Sequence, residues 1–243
     1  MRLEETKFYP CLKIPSSLFR SFIIIGMDNE QILEEALDFA REILRNDFSG
    51  HGYDHIERVY RNALTILGEE KADSFLVLLS CALHDVDDIK LFPDDHDFKN
   101  ARSFLTEHQV GEETIKKVLT IIEEVSFKGK DTKTPASIEG KIVQDADRLD
   151  AIGAVGIARA FAFGGSHHRP LYDEKLKIKK EMSEKEYRAH KGSTIAHFYE
   201  KLLLLKDMMN TEAGKRMTKE RHEFLLLFLD EFAKETGHGR EQD

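Results

Sequence analysis

A histidine followed closely by carboxylates, His84-Asp85-Val86-Asp87-Asp88, closes a run of apolar residues spaced like a buried helix (Phe75, Leu76, Leu78, Leu79, Ala82, Leu83). Charged groups at the edge of a core are costly unless a partner neutralises them. A divalent cation satisfies an imidazole and a carboxylate together, so His84 and Asp85 are candidate metal ligands. A second unusual stretch, Gln144 to Gly153, carries Asp147 and Asp150 three residues apart and so on one helical face. A third is His55, which shares the half-apolar side of its helix with Val59, Asn62 and Ile66.

Taken together, His55, His84, Asp85 and Asp147 are two neutral and two anionic donors, which balance a 2+ ion. Mixed nitrogen and oxygen donors suit Mn, Fe, Co, Ni or Zn better than calcium. Four protein ligands around an octahedral ion leave two positions for water and substrate, the openness of a catalytic site rather than a structural one. Each residue also has a plainer use. His55 could be a core histidine bonded to a backbone carbonyl, and Asp147 could pair with Arg148. Around the set, His51 lies four residues before His55 and Asp150 three after Asp147, both placed to support the ligands. Arg58, one turn after His55, could pair with an inward carboxylate. Asp88 is spaced one helical turn beyond His84 and Asp85, where it can orient or deprotonate a water, or simply anchor a loop. Cys81 reads as core packing.

The elements that must position these residues are helical almost throughout. A helix opens at Met27-Asp28 and carries the stripe Ile32, Leu33, Ala36, Leu37, Ala40, Ile43, Leu44. After the glycine-bracketed turn Ser49–Tyr53, a helix over Asp54–Leu67 stops at Gly68. A loop over Lys90–Asp95 precedes helices over Phe98–Glu107 and Glu112–Val125. Ser137 caps a long helix made slim by Ala146, Ala151, Gly153, Ala154 and Gly156, with Ala154 expected on the face of Asp147. Residues 164–170 form a loop in which His167 and His168 flank a pocket mouth, and the charged stretch 175–191 reads as a solvated or mobile surface segment. Two amphipathic helices follow, one carrying Ile195 to Leu205 and the other Phe224 to Phe232. No strand alternation, repeat or linker emerges, so the expected fold is all-α: a single domain over 27–235, an N-terminal extension over 1–26 and a polar tail over 236–243.

The chain of 243 residues has 41% hydrophobic and 33% charged residues, enough for a sizeable core. A net charge of -9 argues against a surface that coats nucleic acid, while allowing a local basic pocket. Two cysteines, Cys11 and Cys81, match no zinc or disulfide spacing and read as reduced thiols in a cytoplasmic protein. No apolar run is long enough to span a membrane, and the start lacks the order of a signal peptide.

The ordered pattern His55-x-x-Arg58-Val59, His84-Asp85 and Ala146-Asp147-Arg148-Leu149 resembles the HD-domain metal-dependent phosphohydrolase superfamily, and is most similar to its small stand-alone bacterial branch, which includes nucleotide pyrophosphohydrolases. The likeness extends over about residues 28–235 and takes in Gly50-His51, Asp88, Lys90, Ser126–Gly129, Arg169–Asp173 and His197–Leu203. Asp87 departs from it, adding negative charge beside the site, and 175–192 matches poorly. The resemblance implies a helical HD-domain fold and attack of water on phosphorus assisted by a divalent ion: Mn2+, with Co2+, Ni2+, Fe2+, Mg2+ and Zn2+ as alternatives. It implies a catalytic role for Asp88 and substrate contacts from Lys90, Lys128, Arg148 and Lys201. The expected substrate is a phosphorylated small molecule, a nucleoside triphosphate cleaved to monophosphate and pyrophosphate. The alternatives are a nucleoside monophosphatase or phosphodiesterase, and a weakly active nucleotide sensor. Neither a nucleic acid polymer nor a membrane is expected as partner; a homodimer is an open option.

Overall fold

Why His84 sits where it does follows from the helix before it. Residues Leu76 to Leu83 are all buried, so this segment is apolar on every side and can only be a central element. It starts where Asp73 accepts the Leu76 amide at 3.1 Å, and it ends at Leu83 with His84 as its C-cap.

The computed structural model describes residues 27–88, 97–173, 175 and 177–237. Residues 1–26, 89–96 (with Lys90), 174, 176 and 238–243 lie outside the described residues, and with them the expected extension, the expected Lys90–Asp95 loop and most of the expected tail. Among the described residues the structure is all-α, as expected, with no strand. The helices are α1 (Met27–Leu44), α2 (Tyr53–Leu67), α3 (Ser74–Leu83), α4 (Lys99–Glu107), α5 (Glu112–Val125), α6 (Ile138–Asp150), α7 (Gly153–Ser166), α8 (Glu184–Ala189), α9 (Thr194–Glu200) and α10 (Glu212–Thr236). Short 3-10 segments occupy Gly129–Asp131 and Leu202–Met208. Helix α3 packs against α1, α2, α5 and α6, and α2 lies most extensively along α6. One cluster of buried apolar side chains runs from Leu33 to Leu229.

Four sequence expectations are corrected. The slim helix does not run on past Ala151. The chain breaks at Ile152 and Gly153 (φ 75°), where a Cβ would meet the Arg221 side chain at 3.1–3.2 Å, so Ala154 starts a new helix instead of sharing a face with Asp147. The helix expected through Leu205 ends at Glu200 and continues as a 3-10 segment. The charged stretch 175–191 is not simply solvated: Ser183 and Glu186 form a capping box that starts α8, and Met182 is buried. That stretch is clipped to the turn after Phe127 by two amide bonds, Lys130 to the Met182 carbonyl and Glu184 to Asp131, both 2.8 Å. Last, the final helix runs past the expected domain bound at 235: α10 continues to Thr236 and closes on Gly237 at φ 72°.

The C-terminal helix is tied to α6 by one fully buried carboxylate. Asp145 accepts the Asn210 and Thr211 amides at 2.8 and 2.7 Å, and the Thr211 hydroxyl at 2.8 Å. Removing it would strand several buried donors at once. Asp145→Ala is expected to lower unfolding stability by about 3 kcal/mol, measured as a shift in urea midpoint; Asp145→Asn, which keeps one acceptor oxygen but sets an amide NH2 against the other donors, should recover only part of that loss.

Candidate metal centre

The centre forms where α2, the end of α3 and α6 meet. His55 is 1% exposed on the first turn of α2, and its Nδ1 lies 2.7 Å from Asp150 Oδ2. The Nδ1 of His84 is 2.9 Å from the Cys81 carbonyl. A carbonyl and a carboxylate can only accept, so both rings carry their proton on Nδ1 and turn an Nε2 lone pair inward. Those two Nε2 atoms face each other at 3.1 Å. No proton lies between two such acceptors, and the contact is repulsive until something electrophilic enters.

Carboxylates sharpen the demand. Asp85 approaches His55 Nε2 at 3.3 Å and His84 Nε2 at 3.4 Å, and its buried Oδ2 has no hydrogen-bond partner. Asp147 Oδ1 lies 3.4 Å from His55 Nε2 and 4.0 Å from His84 Nε2. Donors about 2.1 Å from one ion stand about 3.0 Å apart when adjacent in an octahedron and about 4.2 Å when opposite. The observed separations fall in that range, and His55, His84 and Asp147 each bring a donor atom within 4.8 Å of the others. The orphaned Asp85 oxygen and the facing lone pairs therefore fit a divalent ion.

Behind the donors, Asp150 is 2% exposed and ringed by positive charge. Besides His55 it accepts Arg58 Nε at 2.6 Å and an Arg159 terminal nitrogen at 2.8 Å. Burial raises its pKa, but these partners outweigh it and hold the group below its ordinary value. Arg58 thus pairs with an inward carboxylate, and with Asp54 at 2.6 Å. Arg159 also donates to the Gly50 carbonyl at 2.6 Å, fixing the loop that carries His51. The His51 ring stands 6.2 Å from that of His55. Sequence reading missed Arg159, although a lone charge in the otherwise apolar α7 was a usable signal.

A cavity of about 570 Å³ opens over the centre, lined by His51, Asp88, Phe127, Lys128, Tyr187 and Lys201 among others. The helix expected to carry His84 to Asp88 ends before them; the chain turns instead, with the Asp88 amide on the Asp85 carbonyl at 3.1 Å. Asp88 still faces the cavity. Asp87 does not leave its charge at the centre, since its oxygens accept the Asn100 and Ala101 amides, both at 2.8 Å, and start α4. Arg148 reaches the cavity lining, but its guanidinium donates to the Met208 carbonyl and ties α6 to the 3-10 segment. His167 lines the cavity, whereas His168 turns through φ 55° beside it. The pair His190–Glu200, 2.9 Å apart, closes another wall that sequence reading did not single out.

An all-helical frame holding this His, His-Asp and Asp arrangement defines a class, and the chain belongs to it: the HD-domain superfamily of metal-dependent phosphohydrolases. The HD domain family model matches residues 52–152. The uncharacterised protein YpgQ of Bacillus subtilis is 42% identical over 206 residues, covering 83% of this chain and 92% of its own length. A crystal structure of YpgQ in complex with ADP superposes with a TM-score of 0.66 at 34% identity, over 86% of this chain and 97% of that one. An HD-superfamily hydrolase from Bacillus thuringiensis is 38% identical with a TM-score of 0.65, over 87% and 100% of the two chains. A Lactobacillus plantarum protein reaches 0.78 at 36% identity, over 86% and 98%.

If the four donors share one ion, metal and stability are linked. Mn2+ at a hundred times its dissociation constant should stabilise the wild type by about 2.7 kcal/mol, seen as a rise in thermal midpoint. Asp85→Ala should lose that rise, because a ligand and half of the negative charge are gone. A full Mn2+-dependent rise in Asp85→Ala would exclude Asp85 as a ligand.

Proposed function

We propose that this protein is a cytoplasmic nucleotide hydrolase that cleaves a nucleoside triphosphate to monophosphate and pyrophosphate, with Mn2+ as its preferred ion and His55, His84, Asp85 and Asp147 as its ligands. The observation that carries the reading is one cavity lined by two chemically different groups. The donors of the centre and Asp88 line it, and so do the rings of Phe127 and Tyr187, centroids 5.1 Å apart, with His197 6.5 Å from Tyr187. A flat heteroaromatic base suits such rings. The ADP complex of YpgQ supports a nucleotide as the kind of ligand.

Held by His55, His84, Asp85 and Asp147, a divalent ion would supply Lewis-acid chemistry, acidifying water and polarising a phosphoryl oxygen. The protein's own residues do the rest. Asp88 orients the attacking water and takes its proton. Asp150 holds the His55 ring by its Nδ1 proton, and Arg58 and Arg159 hold Asp150. Lys128 and Lys201 offset charge on the phosphates; the Lys201 ammonium lies 4.8 Å from the centre of the Phe127 ring, beside the place assigned to the base. Arg148, held by the Met208 carbonyl, contributes its field.

The test is a nucleotide panel with Mn2+-, Co2+- or Mg2+-loaded protein, following both products. Pyrophosphate release supports the reading, orthophosphate release points to a monophosphatase, and saturable binding without product to a sensor. Asp88→Ala should keep the metal and lose about 10²–10⁴-fold in kcat; full activity there would remove Asp88 from the chemistry.

A further inference from the structure

Beside the centre, another part of the cavity wall is organised around one ring. Phe163, on α7, lines the cavity, and three side chains with nitrogen donors are arrayed on it. The His167 ring stacks at 3.9 Å, with planes 21° apart. His51 meets the Phe163 edge at 5.5 Å, and the Arg169 guanidinium carbon lies 5.2 Å from its centroid. His51, His167 and Arg169 all line the cavity too, and His51 is the neighbour of His55 already described.

These groups are held in place by backbone bonds as well as by the ring. His167 Nδ1 donates to the Phe163 carbonyl at 3.0 Å, which leaves Nε2 as its outer nitrogen. The Arg169 amide donates to the Gly164 carbonyl at 2.8 Å, closing the turn between them. The other cavity arginines are committed: Arg148 to Met208, Arg159 to Asp150 and Arg188 to Glu184. Among the described residues no carboxylate pairs with Arg169. A guanidinium laid against an aromatic face keeps its N–H edge for planar or tetrahedral oxyanions.

Charge balance says what such a cluster is for. Two carboxylates cancel a 2+ ion, so the centre brings no net positive charge to a polyphosphate. Positive charge for the end of the substrate away from the base must come from elsewhere in the cavity. Lys128 follows Phe127 in the chain and Lys201 lies on its ring, so both serve the phosphate nearer the base. The Phe163 cluster is the remaining organised group of donors, and it lies beside the centre.

Building on the nucleotide reading above, we propose that His51, His167 and Arg169 bind the β- and γ-phosphates of a nucleoside triphosphate, so that the α-phosphorus sits at the metal centre. The water oxygen then bonds to the α-phosphorus. The bond from that phosphorus to the oxygen bridging to the β-phosphorus breaks, and pyrophosphate departs with that oxygen and its electron pair. The water's proton passes to Asp88 and from there to solvent, leaving monophosphate and pyrophosphate. This arrangement selects triphosphates over diphosphates, which fill only half the subsite.

Calorimetry on the full-length, Mn2+-loaded protein separates the two ends, with inorganic pyrophosphate and a nucleoside monophosphate as probes. Arg169→Gln should weaken pyrophosphate at least tenfold and the monophosphate less than twofold; Tyr187→Ala should do the reverse. Arg169→Lys, which keeps the charge without the fork, should fall between, and equal thermal midpoints confirm that each variant folds. Wild-type protein that does not bind pyrophosphate, or Arg169→Gln that weakens only the monophosphate or neither probe, overturns the assignment. Pyrophosphate binding that depends on Arg169, alongside no binding or turnover of any nucleotide, keeps the anion subsite and sinks the nucleotide reading instead.

Discussion

Two imidazoles whose unprotonated nitrogens point at each other from 3.1 Å are the constraint around which this molecule is arranged. Neither ring can escape by exchanging its proton, because Asp150 and the Cys81 carbonyl each hold an Nδ1 hydrogen. Carboxylates crowd the same point, one with an oxygen that is buried and unbonded. Like partial charges so close in a medium of low polarity raise the energy of the folded chain. That energy has to be offset by the rest of the fold, which explains why α3, buried along nearly its whole length, delivers His84. A weaker element would let the ring swing away and relieve the strain by disassembling the site.

Asp150 is the joint through which the frame acts. It gathers His55 and Arg58 from α2, itself lies on α6, and takes Arg159 from α7. A buried carboxylate with a single cationic partner often does no better than an apolar pair, since desolvation cancels the attraction. With two guanidiniums and an imidazole around it, every oxygen is bonded and the penalty is spread. The sharp break at Gly153 makes this possible, because a continuous helix would carry Arg159 away from the carboxylate of its own predecessor. Arg159 then extends the joint to Gly50, so the loop bearing His51 is registered to the same frame.

The donors were legible in the sequence because imidazoles and carboxylates on apolar faces are expensive and need a common reason. The helices over 53–67 and 112–125 were legible because their apolar stripes are regular and glycine or polar residues bound them. What escaped shares another cause: the deciding interaction lies far away in the chain. The small residues among 146–156 (Ala146, Ala151, Gly153, Ala154, Gly156) read as one slim helix; the break is made where Arg221 of α10 occupies the space. Stretch 175–191 has the composition of solvated surface, and its places to dock are distant in the chain: the turn at 128–131, with Gly129 at φ 60° under the Met182 carbonyl, and Glu200, which takes the Lys179 amide and His190. Asp87 looked like charge for the centre because the start of α4, thirteen residues on, was invisible as its partner. Arg159 alone was readable locally and was passed over.

The chain has a net charge of -9, and its cavity is lined by four arginines and two lysines alongside six carboxylates. At physiological salt, exposed charges farther apart than about 8 Å are largely screened, so an anion is held only by the cations it reaches directly. Those cations are not an undirected basic patch; several are bound to carboxylates or carbonyls of the frame, and the aromatic rings of Phe127 and Phe163 set where Lys201 and Arg169 stand. A cavity of about 570 Å³ has the size of a small-molecule site. On the nucleotide reading proposed above, cations placed in this way would select by phosphate position and number, because recognition then rests on their arrangement and not on an excess of positive charge.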